Sequence, residues 1–174
     1  MSVARLTLSS LFAILLTHGA SAMDAVGYES LTKDTVKELV AGSFPDVAKS
    51  LSRLEKAMTL GIEACEEYAK ANPADAVLIA HAVKATPGMK AMKPDELEAQ
   101  WGDEGVAGDA IGRPLKDMDQ FSMTRNYIDL IVHPARAYDY IVSWKASGDK
   151  QELEQAKGEL IEVLEHLKKI KAKS

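Results

Sequence analysis

The sequence predicts an all-α, single-domain protein resembling a four-helix bundle, with one or two extra short helices and a long crossover loop rich in glycine and proline. Three observations support this prediction. Apolar residues recur at alternating spacings of three and four along several segments. Proline, glycine and helix-capping residues separate those segments. No segment shows a convincing alternation of apolar and polar residues, which a half-buried strand requires.

The N-terminal residues 1–22 are expected to be a signal peptide. They read MSVARLTLSSLFAILLTHGASA: Arg5 gives a positive start, residues 11–16 are apolar, and Ala-Ser-Ala ends the segment. The apolar run is too short to span a bilayer, which takes about 20 apolar residues. The alternative is a buried N-terminal helix. A helix of that kind would rarely combine a complete lack of acidic residues with an ending in Ala-Ser-Ala. We therefore expect residues 23–174 to form one exported domain, periplasmic or secreted, with no transmembrane segment after cleavage.

The helices are predicted in order from their caps and stripes. The segment SLTKDTVKELVAG predicts a first helix with Ser30 or Thr32 as its N-cap. NPADAVLIAHAVKA predicts a third helix with Asn72 as its N-cap, and PDELEAQWG predicts a short fourth helix that Gly102 ends. Between the first and third helices, the segment FPDVAKSLSRLEKAMTLGIEACEEYAKAN predicts a second helix of about six turns. Its apolar stripe consists of Val47, Leu51, Leu54, Met58, Gly61, Cys65 and Tyr68.

Two long helical segments complete the predicted bundle. The first runs from about Asp117 to Ser147, and we expect it to bend or break at His133-Pro134, because a proline inside a helix removes a hydrogen bond and clashes with the preceding turn. The charged residues of this segment predict its solvent face; they are Arg125, Asp129, Arg136 and Asp139. Gly148 ends the segment, and the last helix starts at about Asp149.

The long loop, residues 86–116, exceeds the 2–8 residues that usually connect bundle helices. It is either a functional loop or a crossover that lets neighbouring helices run parallel. Tryptophan is favoured at binding sites, and charged residues follow it here. The candidate ligand-binding residues are therefore Trp101, Asp103, Glu104, Asp109 and Arg113, together with His133. The alternative is that Trp101 plugs one end of the bundle.

Three histidines and one methionine are candidate metal ligands. His133 follows Asp129 by one turn, so it is either a partly exposed side chain bonded to Asp129 or a ligand in a pocket. His81 lies among apolar residues, and a histidine there is more often a core residue than a ligand. His166 follows Glu162 by one turn, which suits a surface pair or half of a metal site. Met58 is the fourth candidate.

The segment SWKASGDKQELEQAKGELIEVLEHLKK resembles, in layout, the last turn and helix of the soluble b-type cytochromes built as periplasmic four-helix bundles. In that class, a methionine near the start of the first helix and a histidine near the end of the last helix bind haem iron. The resemblance implies His166 as the haem ligand. Antiparallel packing would place Val47 and Leu51, not a methionine, opposite it.

Charge and motifs narrow the function further. The chain has a net charge of −5, and its basic residues form no cluster suited to binding nucleic acid. Cys65 is the only cysteine, so there is no internal disulfide, and the lack of C-x-x-C-H excludes covalent c-type haem. The sequence thus predicts a non-enzymatic binding or interaction module for an unknown small molecule or protein. The alternative is a carrier of b-type haem or metal that uses histidine and methionine ligands. A hydrolase with a histidine base is a third reading.

Overall fold

The computed structural model describes residues 24–41, 46–102, 105, 107 and 123–173. Those residues form six helices: α1 (Ala25–Val40), α2 (Val47–Ala71), α3 (Ala76–Met89), α4 (Pro94–Trp101), α5 (Met123–Ser147) and α6 (Lys150–Lys173). The same residues contain no strand, which confirms the predicted all-α bundle. Within these ranges, no helix has both the length and the apolar character needed to cross a membrane.

Four of the helices form the bundle. α1 packs against α2 and α6, and α5 packs against α2 and α6, so the order around the bundle is α1, α2, α5, α6. The short helices α3 and α4 are additions that pack against α5, and α3 also contacts α2. α5 therefore touches four other helices, and its middle residues, 128–135, are all buried.

Several predicted helix boundaries are confirmed. α2 spans the predicted stripe, and α4 ends before Gly102. Gly148 separates α5 from α6 with a φ of 73°, a conformation that favours glycine. The starts of α1 and α3 differ from the prediction.

The predicted N-caps of α1 and α3 are wrong. Asp24 caps α1, because its Oδ1 accepts a hydrogen bond of 2.7 Å from the Gly27 amide. Thr32 instead lies inside α1, where its hydroxyl donates to the carbonyl of Tyr28. Asn72 ends α2: its side-chain amide donates to the Tyr68 carbonyl, and α3 begins only at Ala76.

The segment predicted as a long loop is partly helical at its start. Residues 86–89 complete α3, which includes Pro87, and the short helix predicted within the segment is α4. The rest of the predicted loop lies mostly outside the described residues, so its role as a crossover stays a prediction.

Pro134 lies inside α5, which continues through it, so the predicted break is wrong and the predicted bend stays a prediction. Since proline has no N–H, it cannot donate to the carbonyl of Leu130, one turn earlier. The Tyr28 hydroxyl donates to that carbonyl at 2.8 Å instead. Gly61 leaves room for α5, because a Cβ atom there would lie 2.7 Å from the Leu130 carbonyl oxygen. The surrounding helices thus accommodate the proline.

Candidate functional site

The contact between α5 and α6 holds a cluster of buried ionisable side chains. Asp129 is 2% exposed, and His133 and Glu159 are each 7% exposed. Asp129 and His133 are four residues apart on α5, so both project from one face of that helix. Glu159, Glu162 and His166 are three and four residues apart on α6, so they share a face too. Packing α5 against α6 brings the two faces together.

One half of the cluster centres on His133. Its Nδ1 donates a hydrogen bond of 2.7 Å to Oε2 of Glu159 and lies 3.9 Å from Oε2 of Glu162. The other oxygen of Glu159 lies 3.3 Å from Arg136, which also pairs with Glu98 of α4 at 3.1 Å. Both oxygens of the buried Glu159 carboxylate therefore have a partner, as a buried charge requires.

The other half centres on His166. Its Nδ1 donates to Oδ1 of Asn126 at 2.7 Å, and its Nε2 lies 3.5 Å from Oδ2 of Asp129. The guanidinium Nε of Arg125 donates to both oxygens of the same carboxylate, at 3.0 Å to Oδ1 and 3.2 Å to Oδ2. Asn126 therefore fixes the orientation of the imidazole, and Arg125 fixes the orientation of the carboxylate.

The two histidines differ in charge. Burial lowers the pKa of His133, but its hydrogen bond to Glu159 and the nearby charge of Asp129 outweigh that effect, so its pKa is raised above the usual value. For His166, burial dominates over the attraction of Asp129, and the nearby His133 adds to the effect, so its pKa is lowered. The lowered pKa of His166 favours its neutral form, and the raised pKa of His133 favours its cationic form.

A neutral His166 creates an electrostatic conflict with Asp129. In the tautomer that donates from Nδ1 to Asn126, the Nε2 of His166 carries a lone pair. That lone pair lies 3.5 Å from a carboxylate oxygen, which is also rich in electrons. A cation between the two atoms removes the conflict. Two ligand atoms bound tetrahedrally at about 2.0–2.2 Å from one metal lie roughly 3.3–3.5 Å apart, close to the observed separation.

His133 supplies a third donor to this position once it has lost its second proton, because only a neutral imidazole has a lone pair for a metal. One ligand atom each from Asp129, His133 and His166 lies within 4.8 Å of the other two. The imidazole rings of His133 and His166 are stacked, with centroids 5.2 Å apart and planes at 22°. A second group, of His133, Glu159 and Glu162, meets the same 4.8 Å limit. The cluster thus offers two imidazoles and three carboxylates within a small volume.

This arrangement does not suit haem. Two histidines that bind one haem iron must point their nitrogen atoms at each other from opposite sides of the porphyrin. His133 and His166 instead stack their rings, and α5 packs directly against α6. Met58 lies in an apolar core cluster with Leu78 and Ile131.

The prediction for the surroundings of His133 is wrong in two respects. It is buried rather than partly exposed, and its Nδ1 hydrogen bond goes to Glu159 rather than to Asp129. The predicted solvent face of α5 is also wrong for Asp129 and Asp139, which are both buried. The physical reason is that α5 has neighbours on several sides, so the charged positions face α6 and α4 instead of water.

The other candidate ligand-binding residues lie elsewhere. Trp101 is fully buried in the apolar core cluster with Leu97 and Met89, which favours the plug. His81 is half-buried, with its ring 5.3 Å from the Trp101 ring. Asp103, Glu104, Asp109 and Arg113 fall outside the described residues. Ligand binding by this group therefore stays a prediction.

Sequence reasoning missed Asn126 and Glu159 and treated Asp129 as a surface residue. A signal was present: each of the last two long helices carries an acidic residue followed by histidine four positions later, Asp129 with His133 and Glu162 with His166. Such spacing places a carboxylate and an imidazole on one face of each helix, and bundles build metal sites from side chains on facing helices. Di-iron bundles use a three-residue spacing, Glu-x-x-His, instead.

Comparison with protein-family models, with curated proteins and with solved structures returned no match.

Proposed function

We propose that this protein is an exported helical bundle that binds a divalent transition-metal ion, without catalysis, between α5 and α6. Asp129, His133 and His166 are the proposed ligands. The observation that carries the proposal is the short separation between Nε2 of His166 and Oδ2 of Asp129, with His133 close to both. When the one proton of neutral His166 lies on Nδ1, towards Asn126, the space between Nε2 and the carboxylate oxygen is left for a metal ion.

The donor atoms define the class of metal. Imidazole nitrogen suits Zn²⁺, Cu²⁺, Ni²⁺ and Fe²⁺, whereas Ca²⁺ and Mg²⁺ prefer oxygen ligands alone. Two imidazoles and a carboxylate therefore favour Zn²⁺ or Cu²⁺. Cys65, the one thiol of the chain, is buried on α2 and donates to the Tyr127 carbonyl, so it does not join this ligand set.

The surroundings of the ligands support binding rather than catalysis. Asp129 and His133 are buried, and His166 is largely covered. Asn126 hydrogen-bonds the ring nitrogen of His166 opposite the proposed metal, which is the usual second contact of a histidine ligand. A site enclosed in this way holds an ion more readily than it admits a substrate. The signal-like sequence of residues 1–22 supports export.

Equilibrium titration tests the proposal. Residues 23–174, freed of metal with a chelator, are titrated with Zn²⁺ and with Cu²⁺ in a calorimeter. We expect one ion per chain, and we expect His166→Ala to weaken binding by about 100-fold or more, because it removes a direct ligand. Asn126→Ala should weaken binding by about 10–100-fold, the usual effect of losing a partner of a ligand.

His81→Ala is the matched control, because it removes a histidine that stands against Trp101 and not in the cluster. Its metal affinity should equal that of the unaltered protein. Circular dichroism verifies that each variant is folded. Absence of binding by the unaltered protein, or unchanged binding by folded His166→Ala, would contradict the proposed function.

A further inference from the structure

The second donor group lies on the outer side of the proposed metal site. His133, Glu159 and Glu162 each place one ligand atom within 4.8 Å of the other two. Their exposure is graded: the side chain of Glu159 is 8% exposed, whereas that of Glu162 is 61% exposed. Asp129 and His166, the two ligands absent from this group, are both largely covered. Donor atoms therefore extend from solvent to the buried ligands.

His133 belongs to both groups, so it connects them. Its Nδ1 is 3.9 Å from the exposed carboxylate of Glu162, and its ring stacks on that of His166. Glu162 precedes His166 by one helical turn, so both lie on the same face of α6. An ion held by Glu162 and His133 is therefore adjacent to the inner position and reaches it by exchanging one ligand at a time.

A stepwise route lowers the cost of dehydrating the ion. A divalent cation in water is strongly hydrated, and a buried site admits few of its water molecules. Each protein oxygen or nitrogen along the route replaces a water before the next one is lost. Glu159 is less free to reorient towards an incoming ion, because Arg136 pairs with its second oxygen. Glu162 is the donor that solvent reaches first.

We infer that His133, Glu159 and Glu162 form an outer position through which the metal ion enters and leaves the inner site, with Glu162 as the first ligand. This inference rests on the proposed function. In the final complex the ion is bound by the inner ligands, and Glu162 has released it. Glu162 then affects the rates of binding and release, and it leaves the equilibrium affinity unchanged.

Stopped-flow kinetics with Zn²⁺ and a chromophoric chelator test this inference. Glu162→Gln keeps the shape of the side chain and removes its charge. We expect the association rate constant to fall by about tenfold, because the barrier to entry rises when the ion loses the first protein ligand on its route. The dissociation rate constant should fall by the same factor, because ion release follows the same route in reverse. The equilibrium Kd stays as in the unaltered protein.

Glu165→Gln is the matched control. Glu165 is an exposed carboxylate on the same helix, outside both donor groups, so its removal changes the net charge equally. A rate loss equal to that of Glu162→Gln would show a general charge effect and overturn the inference. Unchanged rates in Glu162→Gln would overturn it too, as would a weaker Kd caused by faster dissociation alone, or binding of two ions per chain.

The equilibrium titration separates this inference from the proposed function. If the unaltered protein binds no metal, or if His166→Ala does not weaken binding, the proposed function is wrong, and the inference of an outer position is then wrong too. If equilibrium binding behaves as proposed but the two rate constants of Glu162→Gln do not fall together, only the outer position fails.

Discussion

The two long sides of α5 bury its residues by opposite means. Towards α1 and α2, the contacts are apolar and the backbones approach closely. Towards α6, the contacts include a buried network of charged and polar side chains. A single helix thus combines a tightly packed side with an ionic side, and the two sides make different contributions to stability and to function.

On the α2 side, small or polar atoms reach the backbone of α5. Gly61 faces the Leu130 carbonyl, and the thiol of Cys65 donates to the Tyr127 carbonyl at 3.2 Å. Ala57 and Ala64 lie in one apolar cluster with Leu130 and Tyr28. Close packing of this kind stabilises a fold because it removes apolar surface from water and leaves no voids.

On the α6 side, the network contributes little to stability. Taking charges out of water costs several kilocalories per ion, and a buried ion pair often stabilises no better than apolar residues of similar volume. The network nevertheless places His133, Asp129 and His166 together. Apolar contacts such as Ile141 with Leu160 stabilise the α6 side as well, and the ionic network adds to that side an arrangement that suits metal binding.

The largest expected effect on stability comes from removing only one partner of the buried pair His133 and Glu159. Glu159→Leu removes the buried carboxylate that partners both His133 and Arg136, so the free energy of unfolding should fall by about 3–5 kcal/mol. The double variant His133→Leu with Glu159→Leu removes both charges and should recover most of that loss. Denaturant unfolding in the presence of a chelator measures both.

If the double variant were as unstable as the single one, the network would contribute strongly to the fold, and the contrast between the two sides of α5 would disappear. Circular dichroism at low denaturant ensures that both variants start from a helical state.

The next effect concerns close packing on the α2 side. Gly61→Ala places a Cβ atom 2.7 Å from the oxygen and 3.0 Å from the carbon of the Leu130 carbonyl. Helix α2 must then move away from α5, so we expect a loss of about 1–3 kcal/mol, the usual range for overpacking. Thermal unfolding measures this loss.

Gly158→Ala is the control for helix propensity. No atom lies within 4 Å of a Cβ at this position on α6, so the substitution should stabilise the protein by up to about 1 kcal/mol. Stabilisation by both variants would show that α2 and α5 have more freedom than their close approach indicates.

The sequence predicted the helices well because their signals are local. The stripe of α2 was read from spacing alone, and Leu54, Met58 and Cys65 of that stripe are buried. The ends at Gly102 and Gly148 were read from single glycines. Such signals depend on residues within a few turns of each other.

The candidate site could not be predicted in the same way. Asp129 and Asp139 were assigned to solvent because charged positions usually mark the outer face of a helix. α5 has neighbours on several sides, and a helix covered in this way gives no single stripe. The hydrogen bond between His133 and Glu159 joins two helices, so it depends on how α5 packs against α6.

The smallest expected effect concerns Pro134 and the carbonyl that it leaves without a donor. Tyr28→Phe removes the hydroxyl that donates to the Leu130 carbonyl and keeps the aromatic ring, so it should cost about 1–2 kcal/mol, within the range for a buried group that loses its partner. In a Pro134→Ala background, the N–H of residue 134 restores the ordinary helical hydrogen bond to Leu130. The cost of Tyr28→Phe should then shrink to a few tenths of a kilocalorie, which a double-mutant cycle by denaturant unfolding resolves. Equal costs in both backgrounds would mean that Tyr28 stabilises α5 through its packing alone, and that the α1 and α2 side of α5 needs no polar contact to accommodate the proline.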